Sequence, residues 1–317
     1  MSHTPPLEAE AEAFNQRITE RVQAGFIPDL RRVVKCDYFY KSFWRDPHFV
    51  DLYLGETVRT FLTFLRQHGR PSMRILDVGC GAGYVSLELA RAGYQVTAID
   101  IAGQAIETAR RTLAENTYTE GFGSLEYRVV SFDEMSGCFD AVLFSGALHH
   151  FTNVAATIRR AAGLLGAQGL FLCHEPSHDV WRAADAAQVA LIRGLLVLSG
   201  CWYDQELRQR LQTLASFAAY VREIHTEYVT ERDPHERGQS PNDNASSGTE
   251  ILQALRSQLT ELDCRPGASF IYRLLGGLRG EDKTIHALAD FITLFERYSV
   301  EQGFLRPNSF FFAGRKP

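Results

Sequence analysis

Arg74-Ile-Leu-Asp-Val-Gly-Cys-Gly-Ala-Gly-Tyr-Val-Ser-Leu-Glu-Leu-Ala90 carries three structural instructions in one stretch. The apolar run Ile75–Val78 reads as a buried strand. Gly79, Gly81 and Gly83 read as a tight turn, and a helix starts near Tyr84 and stops at Gly93. Glycine is required where the backbone turns sharply and a ligand approaches with no Cβ in its way. The N–H groups of the first helical turn lack partners within the helix and point at whatever sits over the loop.

Downstream, strands and helices alternate. A strand at Gln95–Ile99 ends in Asp100, and a helix runs from about Gln104 to Asn116. Strands follow at Leu125–Val130 and Phe139–Phe144, then a helix near 153–165, then a strand at Leu170–His174. This alternation predicts a parallel sheet wrapped on both faces. In such a sheet ligands sit beyond the carboxyl ends of the strands, where the order of connections reverses.

Upstream, Leu7–Ala24 reads as a helix with Phe14, Ile18 and Val22 on one face, ended by Gly25 and Pro28. A second helical piece is expected after Pro28. Asp37-Tyr-Phe-Tyr-Lys-Ser-Phe-Trp-Arg-Asp46 then holds five aromatics in ten residues. These rings either pack the N-terminal helices onto the core or wall a substrate pocket, with Tyr38, Tyr40 and Trp44 as the pocket candidates. Asp46-Pro47 is a helix start, and Leu54, Val58, Phe61 and Leu65 keep the helical period to Gly69. Beyond Glu175 the simple alternation stops. Residues 179–198 and 203–224 read as apolar helices, and 229–249 as a mobile polar surface loop. A helix near 249–262, a strand near Ala268–Arg273, a helix near 284–302 and a strand at Ser309–Gly314 follow.

At 317 residues and 45% hydrophobic content the chain can bury a substantial core. A net charge of -5 without a Lys/Arg-rich tract argues against nucleic acid as partner. Six dispersed cysteines without Cys-x-x-Cys pairs suit free thiols, and neither a secretory signal nor a membrane span is evident, so a cytoplasmic location is expected. His174-Glu-Pro-Ser-His178 matches the zinc-protease pattern His-Glu-x-x-His, which works because two histidines one turn apart share a helix face. Pro176 argues against a helix running through Glu175, so no metal is assigned.

Asp77, Gly79, Gly81 and Gly83 resemble the first motif of class I S-adenosylmethionine-dependent methyltransferases, acidic-x-Gly-x-Gly-x-Gly. The dinucleotide fingerprint Gly-x-Gly-x-x-Gly would require glycine where this chain has Tyr84. The resemblance spans about residues 70–175. It implies a doubly wound, Rossmann-like α/β fold with a seven-stranded, mostly parallel sheet, a helical N-terminal cap and a helical insertion after strand five. The expected division is a cap over 1–70, a cofactor-binding core over 71–175, a helical lid over 176–248 and the C-terminal part of the sheet over 249–317. The implied cofactor is S-adenosyl-L-methionine, with Asp77 toward its methionine ammonium, Asp100 on the ribose hydroxyls and Ile101 against the adenine. Where the family usually has an Asp for the adenine amino group, this chain has Ser131, with Phe132 and Asp133 following. Phe132 is expected to pack flat on the base. Ser145-Gly-Ala-Leu-His-His-Phe151 resembles the small-molecule branch and runs past the sulfonium.

Methyl transfer is an in-line displacement that needs a base only if the acceptor must lose a proton. His149, Glu175 and His150 are the candidates, ahead of His174 and His178, because imidazole titrates near neutrality and a carboxylate can orient it. The expected activity is methyl transfer to a small, enclosed, apolar or aromatic acceptor, with oxygen favoured over carbon or nitrogen. The rival is a homologue that keeps the cofactor but works as an isomerase, cyclase or binding module. Oligomeric state is left open.

Overall fold

A computed structural model describes residues 7–36, 39, 41–230 and 240–316. Tyr38 and Tyr40 lie outside the described residues. Among those described, seven strands form one sheet in the order β3-β2-β1-β4-β5-β7-β6. They are β1 (Arg74–Val78), β2 (Gln95–Asp100), β3 (Ser124–Val129), β4 (Phe139–Ser145), β5 (Leu165–Pro176), β6 (Thr260–Pro266) and β7 (Ser309–Arg315). The first five pair in parallel, and β7 pairs antiparallel with both β5 and β6. The order reverses at β1, so the loops after β1, β2 and β4 open onto one edge.

Residue parity along the strands sorts the core. Leu76, Val142, Phe144, Phe171 and Cys173 pack on one face with α6 (Val154–Leu164) and α10 (Gly248–Gln258). Ile75, Ala141, Leu143 and Leu172 pack on the other with α3 (Glu56–His68), α4 (Tyr84–Arg91) and α5 (Gly103–Ala114). A period of two with both faces buried is what a doubly wound sheet demands.

Two further apolar clusters lie beyond the sheet. One joins α1 (Leu7–Gln23) and the aromatic segment, through Ile18, Phe26, Phe39 and Trp44, to Ala82 and Ala105. The other gathers α7 (Ala183–Leu198), α9 (Leu214–Thr230), α11 (Ile271–Leu274) and α12 (Asp282–Glu301) around Trp181, Trp202, Tyr228 and Phe270. The short helices α2 (Pro47–Val50) and α8 (Leu207–Arg210) complete the set. Asp46 caps α2, accepting from His48 N–H at 2.9 Å, and Gly69 closes α3 through a bond to the Leu65 carbonyl. Between α2 and α3, Asp51–Gly55 forms a π-turn.

Three local readings are corrected. Among the described residues, 29–36 form no helix after Pro28. Instead Asp29, fully buried, takes the Arg91 guanidinium in two bonds of 2.7 and 2.8 Å, and Glu88 and Asn116 complete its donors. An extended segment is thereby locked to α4, a buried bidentate pair replacing helical hydrogen bonds. The strand expected at Ala268–Arg273 is also displaced. The strand is Thr260–Pro266, and Ile271–Leu274 is a helical turn. Thr260-Glu-Leu-Asp-Cys-Arg-Pro266 hid as a strand because it is a sheet edge, half-exposed and therefore charged. The apolar Phe270-Ile271 pair belongs to the cluster around Trp181 and Trp202. The third correction concerns 240–247, which docks on the site described next.

Candidate functional site

β1 delivers the chain into a loop in which Gly79, Gly81 and Gly83 have φ of +69°, +53° and +83°. Only glycine holds this left-handed region cheaply. At Gly83 space is also short, because an added Cβ would lie 2.4 Å from the Tyr127 hydroxyl, which donates to the Gly83 carbonyl. The Gly79 and Cys80 N–H groups donate to the Ile99 carbonyl, tying the loop to the end of β2.

Asp100, the last residue of β2, completes the tie. Its Oδ2 accepts from Gly81 N–H and its Oδ1 from Ala102 N–H, both at 2.8 Å. Burial pushes its carboxyl above the ordinary range, and the two N–H bonds pull against that rise. Each oxygen keeps acceptor capacity for a ligand hydroxyl. Asp77 sits elsewhere. It is 1% exposed, accepts from Ser86 Oγ at 2.5 Å, and is not among the residues lining the large cavity. Burial, opposed by the Ser86 bond and reinforced by Asp100, pushes its carboxyl up to about 7.

A cavity of about 1530 Å³ runs from this loop to helices α7 and α9. At the loop end its walls include Gly79, Gly81, Asp100, Ile101, Ser131 and Ser145. Ser131 Oγ caps the turn Phe132–Glu134 by accepting from Asp133 N–H. Asp133 points to solvent and does not line the cavity. Phe132 contributes to the wall but is 4% exposed, edge-on to Phe144 and Phe151 and covered by the Arg160 guanidinium. At the far end Trp44, Tyr53, Arg193, Trp202, Tyr203 and Tyr272 line the space. Trp44 lines the cavity and is also part of the packing. It packs edge-on against Phe26 and Tyr84.

The loop after β4 is built on Glu175. This carboxylate is fully buried, with Oε1 accepting from Ala147 N–H and Leu148 N–H and Oε2 from His149 N–H. His149 Nδ1 lies 2.9 Å from Oε2. Burial alone would raise the Glu175 carboxyl, but the His149 and backbone bonds outweigh it and hold it below its ordinary range. Glu175 and His149 therefore face each other, and neither lines the cavity. His150 and His174 do line it. Burial pushes His174 down to about 4. His178 Nδ1 is 2.7 Å from Asn308 Oδ1, away from the cavity.

Sequence reasoning missed the partners of this loop. Glu10 of α1, 4% exposed, bonds Ser240 Oγ and Asn242 N–H and lies 3.0 Å from His150 Nδ1. Ser246 donates to the His149 and Phe151 carbonyls, and Asp243 Oδ1 is 3.8 Å from His149 Nε2. Residues 240–247 are thus a docked wall, where a surface loop was expected. Their Ser, Asn and Asp are turn formers whose buried partners lie far away in sequence. Glu10 stands on an acidic helix whose charges suggest a solvated face.

Among the described residues no helix is long and apolar enough to cross a membrane. A model of the methyltransferase domain family matches residues 48–233. A ubiquinone biosynthesis O-methyltransferase of Xanthomonas campestris pv. campestris is 41% identical over 107 residues, covering 32% of this chain and 43% of that protein. One from Methylocella silvestris is 43% identical over 102 residues, covering 31% and 38%. The chain thus spans less than half the length of these curated relatives. Among solved structures, the magnesium protoporphyrin IX methyltransferase of Synechocystis PCC 6803 with bound SAH aligns with a TM-score of 0.54 at 14% identity, covering 98% of this chain and all of that one. The [4+2]-cyclase SpnF aligns at 0.51 with 13% identity, over 98% and 95%. These structural likenesses concern the fold. The family match covers more than half of the chain, and the protein belongs to the methyltransferase domain family.

Proposed function

We propose that this protein binds S-adenosyl-L-methionine at the glycine loop and transfers its methyl group to an oxygen of a small, enclosed acceptor. The observation that carries the reading is Asp100, held by Gly81 and Ala102 N–H groups on the wall of a cavity that continues into an aromatic lid. A carboxylate so fixed suits a pair of ribose hydroxyls, with Ile101 and Ser131 beside the base and Ser145 toward the sulfonium. Asp77 acts behind the loop, through Ser86. The names of the curated relatives support oxygen as the atom methylated.

S-adenosylmethionine would supply an electrophilic methyl group to the acceptor oxygen, whose proton would pass to solvent water, leaving S-adenosylhomocysteine. Alignment supplies most of the acceleration, an effect worth about 7–11 kcal/mol when reacting atoms are held in line. Trp44 and the lid rings fit an aromatic or apolar acceptor. His174, pushed down to about 4, stays neutral at physiological pH and can take a hydrogen bond from the acceptor hydroxyl. His149 and Glu175 set the loop. Six free cysteines suit a reducing cytoplasm.

The test is incubation with S-adenosylmethionine and a panel of phenols, alcohols, amines and alkenes. Formation of S-adenosylhomocysteine in step with a product heavier by one methylene, greatest among hydroxyl acceptors, is expected. Transfer confined to amines or carbons would overturn oxygen as the target. Turnover of an acceptor with the donor unconsumed would favour a non-methylating isomerase or cyclase.

A further inference from the structure

Helices α7 and α12 are apolar on two sides. Val189, Val197, Ala289 and Ile292 pack inward around Trp181 and Trp202, as the buried stripe of a helix on a core should. Their outer stripes are apolar too. Leu191, Leu195 and Leu198, at i, i+4 and i+7 on α7, are 59–64% exposed, and Phe291, Leu294 and Tyr298, at i, i+3 and i+7 on α12, are 55–65% exposed. The two stripes meet at Phe304. Gln188, one turn before Leu191, donates from Nε2 to the Phe304 carbonyl at 3.2 Å. The Phe304 ring, itself 59% exposed, lies 6.3 Å from that of Tyr298.

We propose that this face is where a second copy of the chain docks, forming a two-fold dimer. Its area carries the proposal. At about 200 Å² for a fully exposed residue of this size, the two stripes and Phe304 leave roughly 850 Å² open, more than the about 300–600 Å² of the largest patch on a typical monomer. A standard interface takes about 800 Å² from each partner, so one further copy covers the face. A two-fold contact sets the same patch against itself, and an apolar face is complementary to its own copy.

The neighbouring charges agree. Asp290 and Arg297 are both exposed and lie seven residues apart on α12, on either side of Leu294. Antiparallel copies of α12 packed about Leu294 bring each Asp290 opposite Arg297 of the partner subunit. A lipid surface matches less well, because a helix lying in the membrane interface carries a polar face rich in Lys and Arg. Here α12 exposes Asp282, Asp290 and Glu301 against Lys283 and Arg297, and the charges of α7, Asp185 and Arg193, are buried.

The same helices hold the far wall of the cavity. Arg193 of α7 lines it, and Glu296 of α12 accepts from the Ser269 and Ile271 N–H groups at 2.9 and 2.8 Å, just before the cavity-lining Tyr272. Docking of a second copy braces that wall from outside.

The experiment is sedimentation velocity with light scattering on the full chain over a concentration series, with neither donor nor acceptor added, so its outcome is separate from that of methyl transfer. The expected mass is twice the 35.6 kDa of one chain. Leu195→Glu and Leu294→Glu each put a charge into an exposed stripe and should raise the dissociation constant about a hundredfold or more while keeping the wild-type circular dichroism. Leu294→Met should keep the dimer. Arg297→Asp should weaken association, and adding Asp290→Arg should restore it; failure to restore would overturn the antiparallel packing. The same proteins are floated with phosphatidylglycerol–phosphatidylcholine vesicles. A monomer up to about 100 μM, a dimer untouched by both glutamate variants, or a monomer that binds vesicles through these leucines would overturn the proposal.

Discussion

Asp77→Asn removes a charge whose position makes a signed forecast possible. The wild-type carboxyl is pushed up to about 7 from an ordinary 3.8, chiefly by burial, with Asp100 adding repulsion and Ser86 opposing the rise. A folded-state pKa above the unfolded one means that the folded protein holds a proton the unfolded chain has released. The stabilisation is complete below the unfolded pKa and is lost as pH rises through about 7. Between about pH 5 and pH 8 the loss spans roughly two pKa units, or about 3 kcal/mol. For a chain of this size that corresponds to about 4 °C in Tm. Asparagine keeps an acceptor for Ser86 and cannot ionise. The assay is thermal unfolding of both proteins at the two pH values. The variant should gain about 4 °C on the wild type in going from acid to alkaline buffer, whatever its offset at acid pH. An offset independent of pH would refute the reasoning, since Asp77 would then be ionised throughout.

Other substitutions test the frame around the cavity. Gly83→Ala forces a Cβ onto Tyr127 at φ +83° and should cost about 2–4 kcal/mol in urea unfolding, where a change below 1 would contradict the packing. Glu175→Gln turns an acceptor into a donor facing the His149 N–H. A loss of about 3–5 kcal/mol is expected by the same assay, and unaltered stability would show that the loop after β4 does not depend on it. Trp44→Ala removes a ring shared by packing and cavity wall. Steady-state kinetics should show a raised KM for the acceptor and less change for the donor, and the reverse pattern would move the acceptor elsewhere.

The sheet and its glycine turn were legible because their signals are local. Strand burial, left-handed glycines and an acid ending β2 each follow from residues a few positions apart. The polar partners were not. Arg91 reads as an ordinary helix-end cation, yet Asp29 draws it into the core, and nothing nearby in sequence announces the pair. β6 was misplaced because an edge strand carries the charges of a loop. Asp77 matched its motif by spacing, while its side chain turned to Ser86, since spacing fixes the backbone path and leaves the side-chain direction to tertiary packing. The histidines after β4 were identified by type. Which of them meets the cavity depended on Glu175 and Glu10, two carboxylates from distant parts of the sequence.

The cofactor assignment bears the most weight, and calorimetric titration tests it directly. The protein is titrated with S-adenosylhomocysteine and, separately, with NAD, and both are repeated on Asp100→Ala. The account predicts saturable binding of the thioether alone, lost or weakened by more than about tenfold in the variant while its circular dichroism is retained. Preference for NAD, or thioether binding untouched by loss of the Asp100 carboxylate, would contradict it.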